Sequence, residues 1–229
     1  MPVTPGTWGF YNYPGADSGC GSACGVDYKT RFDDANLWLL CQTDALFPSI
    51  YLRSTNTTVN RANIDAELIE TRRVRDVISQ RCGRHLPIFT YTWAEYYVGL
   101  VVPWTQLLSA EDVDIAFVHP VAAWGVAGTV LWGDGAQVRN RTLCGDGVHS
   151  LSAWVNNTMG PAVLQASKDA NACAATRCSG HGSCWGAKAA SGVQCDCDAG
   201  WTGTSCERKV LLHEEAAAAS GGGGDAKLL

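Results

Sequence analysis

This 229-residue sequence has no long apolar run, little charge and no block of basic residues. Its apolar stretches are all too short to span a bilayer. Charged residues make up 17% of the chain and the net charge is −5. With no basic run, nucleic acid and anionic membrane are excluded as expected partners. The first residues, Met1-Pro-Val-Thr-Pro-Gly6, show no charged start followed by an apolar signal region. They lead straight into an apolar stretch. Eleven cysteines and three Asn-x-Ser/Thr acceptors, at Asn56, Asn140 and Asn156, nevertheless point to an oxidising, secretory environment. A secreted-looking chain that opens on a core strand is expected to be truncated.

The stretch around which the rest is organised is Gly128-Thr-Val-Leu-Trp-Gly-Asp134. A short, nearly continuous apolar run bounded by turn residues suits a strand buried on both faces of a parallel sheet. Trp132 sits at its carboxyl end, the working face of β/α architectures. Three earlier stretches repeat the design: Trp8-Gly-Phe-Tyr11, Leu46-Phe-Pro-Ser-Ile-Tyr-Leu52 and Leu86-Pro-Ile-Phe-Thr-Tyr91. The anchors Tyr11, Tyr51, Tyr91 and Trp132 are 40, 40 and 41 positions apart. One βα unit takes roughly 30 residues or more, so the spacing predicts four successive units.

Between the strands, helices are expected at Lys29 to Ala45 and from Asn60 or Asn63 to about Gln80, with Ile64, Leu68, Val74, Val77 and Ile78 inward and Gly83 as the stop. Asp65 and Glu67 fall on this second helix; their side chains diverge, and both are expected on the solvated face. Trp93, Glu95, Tyr96 and Tyr97 read as loop. Ser109-Ala-Glu-Asp112 opens a helix that Pro120 should kink or interrupt. A last helix is expected from about Val148 to Met159, ended by Gly160-Pro161. Cys20 and Cys24 suit a small disulfide loop better than a metal pair, since no second pair stands at zinc spacing in this part of the chain. No metal or cofactor is expected. Six cysteines between Cys173 and Cys206 describe a disulfide-stapled module, for which spacing alone leaves fifteen pairings open. The segment from 207 to 229, with its Ala and Gly runs, reads as a disordered low-complexity tail.

Trp8-Gly-Phe-Tyr11, Leu46-Phe-Pro-Ser-Ile-Tyr51, Val130-Leu-Trp-Gly133 and the closing cysteine-rich segment, in this order, resemble the hyaluronidase family of glycoside hydrolases. The terminal Cys197-Asp-Ala-Gly-Trp-Thr-Gly-Thr-Ser-Cys206 resembles an EGF-like ending. The resemblance implies an α/β fold: residues 1–165 as the second half of a distorted (β/α) TIM-like barrel, then an EGF-like module at 173–206. It implies pairs Cys173–Cys184, Cys178–Cys195 and Cys197–Cys206. Cys20–Cys24 is a further candidate pair and Cys41–Cys82 another, leaving Cys144 over, as in a chain that lacks its first barrel unit. It also implies a retaining, substrate-assisted cleavage of hyaluronan or chondroitin, with a glutamate in an early Asp-x-Glu motif as general acid. The chain's one Asp-x-Glu, Asp65 to Glu67, lies in the wrong element, so the chain alone is expected to be inactive. The family often has an aspartate where this chain has Tyr97, and Gly133-Asp134 also falls at a variable place.

What remains by resemblance is the sugar-positioning half: Tyr11, Tyr51, Tyr91 and Trp132 line the groove and bind a glycosaminoglycan. The alternative is a non-catalytic glycosaminoglycan-binding or adhesion protein built on the same aromatics. Secretion and lysosomal delivery both fit. Four βα units leave two open sheet edges, so the isolated chain is expected to fold poorly outside the disulfide module unless a missing half or a dimer partner covers them.

Overall fold

The computed structural model describes residues 6–15, 26–96, 107–133, 151–186 and 192–210. Cys20, Cys24, Tyr97, Asp134, Asn140, Cys144 and the segment 211–229 lie outside the described residues.

Four segments run parallel, side by side, in chain order. The first joins the second through a parallel bridge between Tyr11 and Phe47, and the second joins the third through Leu46–Ile88 and Ser49–Tyr91. The third, β1 (Phe89–Trp93), pairs with the fourth, β2 (Gly128–Trp132), over five rungs from Phe89–Gly128 to Trp93–Trp132. Helices fill each crossover. α1 (Val26–Ala35) and α2 (Leu37–Leu40) follow the first segment, α3 (Thr57–Cys82) the second, and α4 (Ala110–Val113) with α5 (His119–Trp124) the third.

Alternation along the strands separates two faces. Leu46, Ile50 and Ile88 turn to the helix layer, where they meet Leu37, Leu40, Ile64, Leu68, Val74 and Ile78 in one apolar core. Thr90 and Thr92 lie on this face and are also fully buried; the Thr90 Oγ1 meets the Thr129 Oγ1 at 3.0 Å. A second core gathers Leu52, Tyr96, Leu108, Val113, Phe117 and Trp154.

Several local expectations are corrected. The first helix begins at Val26 and stops at Ala35, because Asn36 turns its amide back onto the Phe32 carbonyl at 2.8 Å. α3 starts at Thr57, since Asn56 is the cap: its side chain accepts from the Val59 amide at 3.1 Å. Asn60 is instead buried and donates to the Ser54 carbonyl. Gly83 ends the helix at φ 65°, the left-handed stop that glycine adopts without strain. β2 is not buried on both faces: Leu131 and Trp132 are 41% and 45% exposed, since β1 is its one ladder partner among the described residues.

Two prolines each stand behind an interruption of the α-helix, and Pro161 departs from expectation. Pro120 follows a π-turn, Asp114–Val118, in which the His119 amide reaches the Asp114 carbonyl five residues back. Pro161 follows another, Val155–Met159, with the Gly160 amide on the Val155 carbonyl. In each case the wider turn takes up a proline that has no N–H to give. The last helix therefore continues through Gly160-Pro161 as α6 (Gly160–Arg177), rather than ending there.

α6 delivers Cys173 and leads into the cysteine-rich segment. There β3 (Gly182–Trp185) pairs antiparallel with β4 (Gln194–Cys197), and β5 (Trp201–Thr202) with β6 (Arg208–Lys209). Disulfides join Cys173–Cys184, Cys178–Cys195 and Cys197–Cys206, and Cys41–Cys82 ties α3 to the end of α2. The segment is clamped to the helices. Asp196 accepts from Arg72 at 2.7 Å and Arg75 at 2.9 Å, while the Arg72 guanidinium lies 3.7 Å above the Trp185 ring. Gly125 (φ 65°) permits this approach: a Cβ there would stand 3.0 Å from the Trp185 Cβ.

Candidate functional site

The face of the sheet turned away from the helices carries rings. Phe47 and Phe89 stack at 5.8 Å in its lower part, and the Phe89 ring covers the space that a Cβ on Gly128 would need. Above them, Tyr91 meets Tyr11 edge-on at 5.0 Å and Phe47 at 6.0 Å. The Tyr11 hydroxyl donates to the Tyr51 hydroxyl at 2.8 Å, and Tyr51 tilts against Trp93 at 5.2 Å. Trp93 in turn shares a ladder rung with Trp132. The anchors Tyr11, Tyr51 and Tyr91 thus come together by direct contact, and Trp132 joins them through Trp93.

Trp93 is the residue that sequence reasoning passed over. It was expected in a loop beyond Tyr91, whereas β1 runs on to Trp93. Its spacing of two from Tyr91 was the available signal, since residues two apart on a strand share a face.

None of these anchors, nor Trp93, belongs to either apolar core. Tyr11 and Trp132 are about half exposed. Burial, and then the Tyr11 hydroxyl beside it, hold the Tyr51 phenol well above the ordinary tyrosine range, so it keeps its proton. The shelf can therefore offer flat apolar faces and neutral hydroxyls to a ligand, the combination that sugar rings require. Its described ring residues carry hydroxyls and indoles and no carboxyl group.

The Asp65–Glu67 pair is drawn into other networks, not left on the solvated face. Asp65 accepts from His119 Nε2 at 2.5 Å and Trp124 Nε1 at 2.7 Å. Glu67 pairs with Lys29 at 2.9 Å and its side chain is only 12% exposed. Burial pushes its carboxyl upward, against the pull of Lys29. The two diverge as expected, but each finds a partner, Asp65 the buried His119 and Glu67 the half-buried Lys29, because α3 is covered from two sides. Among the described residues no group of three or more His, Cys, Asp or Glu side chains could hold a metal ion. Of the acceptor asparagines, Asn56 caps α3, and Asn156 is exposed on the π-turn before α6.

A parallel β/α array with its ring shelf at the carboxyl strand ends is the arrangement of β/α enzymes that work at that end. Within that class, the chain belongs to the hyaluronidase family. The family's sequence profile, described as Hyaluronidase, matches residues 3–194. The chain is 28% identical to a chondroitin hydrolase of Caenorhabditis elegans over 218 residues, covering 87% of this chain and 43% of that protein. It is 30% identical to hyaluronidase-2 of Bos taurus over 186 residues, covering 77% of this chain and 37% of that one. The chain thus spans less than half the length of these two relatives. Bee venom hyaluronidase in complex with a hyaluronic acid tetramer shares the fold, with a TM-score of 0.57 at 22% identity over 70% of this chain and 47% of that one. No helix among the described residues is long and apolar enough to cross a membrane.

Proposed function

We propose that this chain is the sugar-positioning half of a hyaluronidase-like glycoside hydrolase acting on hyaluronan or chondroitin. The observation that carries the reading is the shelf of Tyr11, Tyr51 and Tyr91, in mutual contact outside both apolar cores and continued by Trp93 to Trp132. Residues 1–165 are read as the second half of the distorted barrel, and 173–206 as an EGF-like module clamped to it. The protein is read as secreted or lysosomal, with Asn56, Asn140 and Asn156 as glycan acceptors.

In this reading the aromatic faces stack on the apolar faces of the sugar rings, and the tyrosine hydroxyls orient a polar substituent. A retaining, substrate-assisted cleavage also needs a protonated carboxylic acid at the glycosidic oxygen. The chain's one Asp-x-Glu is held in the α3 networks, away from the shelf's ring contacts, so the acid comes from elsewhere, such as an N-terminal half. Loss of that acid alone costs about two to four orders of magnitude in rate.

The test is to titrate the purified chain with hyaluronan and chondroitin oligosaccharides and assay it for cleavage. Binding without hydrolysis is expected, and Tyr51→Ala should weaken binding about tenfold by removing one ring and one hydroxyl. Absence of binding to either polymer refutes the shelf as a sugar site. Cleavage by the chain alone refutes the missing acid.

A further inference from the structure

We infer that Trp93 is a sugar-binding residue, a stacking platform that carries one pyranose ring of the glycosaminoglycan from Tyr51 across to Trp132. The inference rests on the sugar-site reading above and adds a residue and a subsite to it.

Three observations converge. Strand geometry puts Trp93 on the same face as Tyr91, opposite to Thr90 and Thr92, which are fully buried while Trp93 is only partly so. The rung shared with Trp132 then sets two indoles on adjacent strands at the same height. In a parallel ladder such partners project to the same side, roughly 5 Å apart, about the width of a sugar ring. Finally, the ring lies 5.2 Å from Tyr51 and tilted by 41°, so Tyr51 and Trp93 present adjoining rings, with Trp132 on the next strand at the same rung. A core role is disfavoured by position, since Trp93 joins neither apolar core, whereas Trp154 and Trp124 pack with one or the other.

The chemistry selects the ligand. A row of uncharged rings recognises the C–H faces of a pyranose chain, whatever the charge of the uronic acid carboxylate at its rim. Without Trp93, a gap would separate the rings contacted by Tyr51 and Trp132. Its removal should weaken oligosaccharides long enough to cross the gap, and leave shorter ones little changed.

The full chain is titrated with hyaluronan and chondroitin oligosaccharides of two, four and six sugars, comparing wild type with Trp93→Phe and Trp93→Leu. Phenylalanine keeps a flat face; leucine fills space without one. Trp93→Phe should stay within about twofold of wild type, and Trp93→Leu should lose about three- to tenfold on the longer oligosaccharides. A second readout needs no variant. Indole oxidation of the wild-type chain, located by peptide mass spectrometry, should show Trp93 protected by a hexasaccharide while Trp38, 69% exposed on α2, stays reactive. Wild-type binding with equal affinity for Trp93→Leu, or a Trp93 that oxidises no differently with ligand, overturns the platform alone. No binding by wild type overturns it together with the sugar-site reading.

Discussion

At the residue scale, Asp196 bears the largest local consequence. Burial opposes its ionisation, but Arg72 and Arg75 outweigh that and hold its carboxyl below the usual range. Both arginines are nearly buried, with side chains 8% and 3% exposed. Asp196→Ala strands two guanidinium groups with no carboxylate between them, a loss of about 3–5 kcal/mol. Chemical denaturation should show that loss, and Asp196→Asn should recover only part of it. A midpoint unchanged from wild type would mean that the clamp contributes nothing. This contact was not legible in the sequence: 124 residues separate Arg72 from Asp196, and nothing local in either segment names the other. The anchor tyrosines were legible because each closes an apolar run and the runs recur at one spacing. Trp93 was not, because strand and loop were divided two residues too early.

At the scale of elements, α3 explains most of the remaining surprises. Its apolar stripe was visible as a helical period, but Asp65 and Glu67 were assigned to the solvated face, and nothing in the period marked Glu70, Arg72 or Arg75 for burial. The structure lays α1 against one flank and the cysteine-rich segment against another, so Glu67, Glu70, Arg72 and Arg75 are all largely buried. On the α1 side, fully buried Asp33 accepts from the Gly15 amide at 3.3 Å and faces Glu70 and Glu67, with Lys29 and Arg73 paired to those glutamates. Burial first, opposed by the Gly15 amide and reinforced by Glu70, pushes its carboxyl up to about 7. A group whose folded pKa is raised binds its proton more tightly when folded. Its stabilisation is full below the unfolded value near 4 and is lost as pH rises through about 7. The chain should therefore gain stability between pH 8 and pH 5 from this group. Asp33→Asn, which mimics the protonated form, should remove that share of the dependence. Denaturation midpoints of both proteins across this range decide it; parallel pH profiles would show that Asp33 does not titrate there.

At the scale of the whole molecule, the parallel array follows chain order from Tyr11 to Trp132, as the 40-residue spacing implied, but what flanks it was not readable from periodicity. β2 presents Leu131 and Trp132 well exposed beside its unpaired edge, among the described residues. An apolar edge of this kind templates pairing with another chain. The isolated chain should accordingly self-associate with rising concentration in sedimentation velocity, and Leu131→Lys should suppress that association while sparing oligosaccharide binding. A wild-type chain that stays monomeric over the whole range contradicts this.

The π-turns have a further consequence for how this chain tolerates change in length. Each inserts the equivalent of one extra residue into a helical run, and one residue on a helix is a rotation of about 100°. Trp154 lies before the second π-turn and Cys173 after it, on one continuous helical path. Trp154 must point into the second core while Cys173 points at Cys184. The count of residues between them therefore acts as a phase setting between core and disulfide. Deleting Asn157 would not shorten a loop; it would turn one of the two away from its partner. The length of that segment is therefore as constrained as the residues Val155, Met159, Ala162 and Val163 that pack it onto the second core.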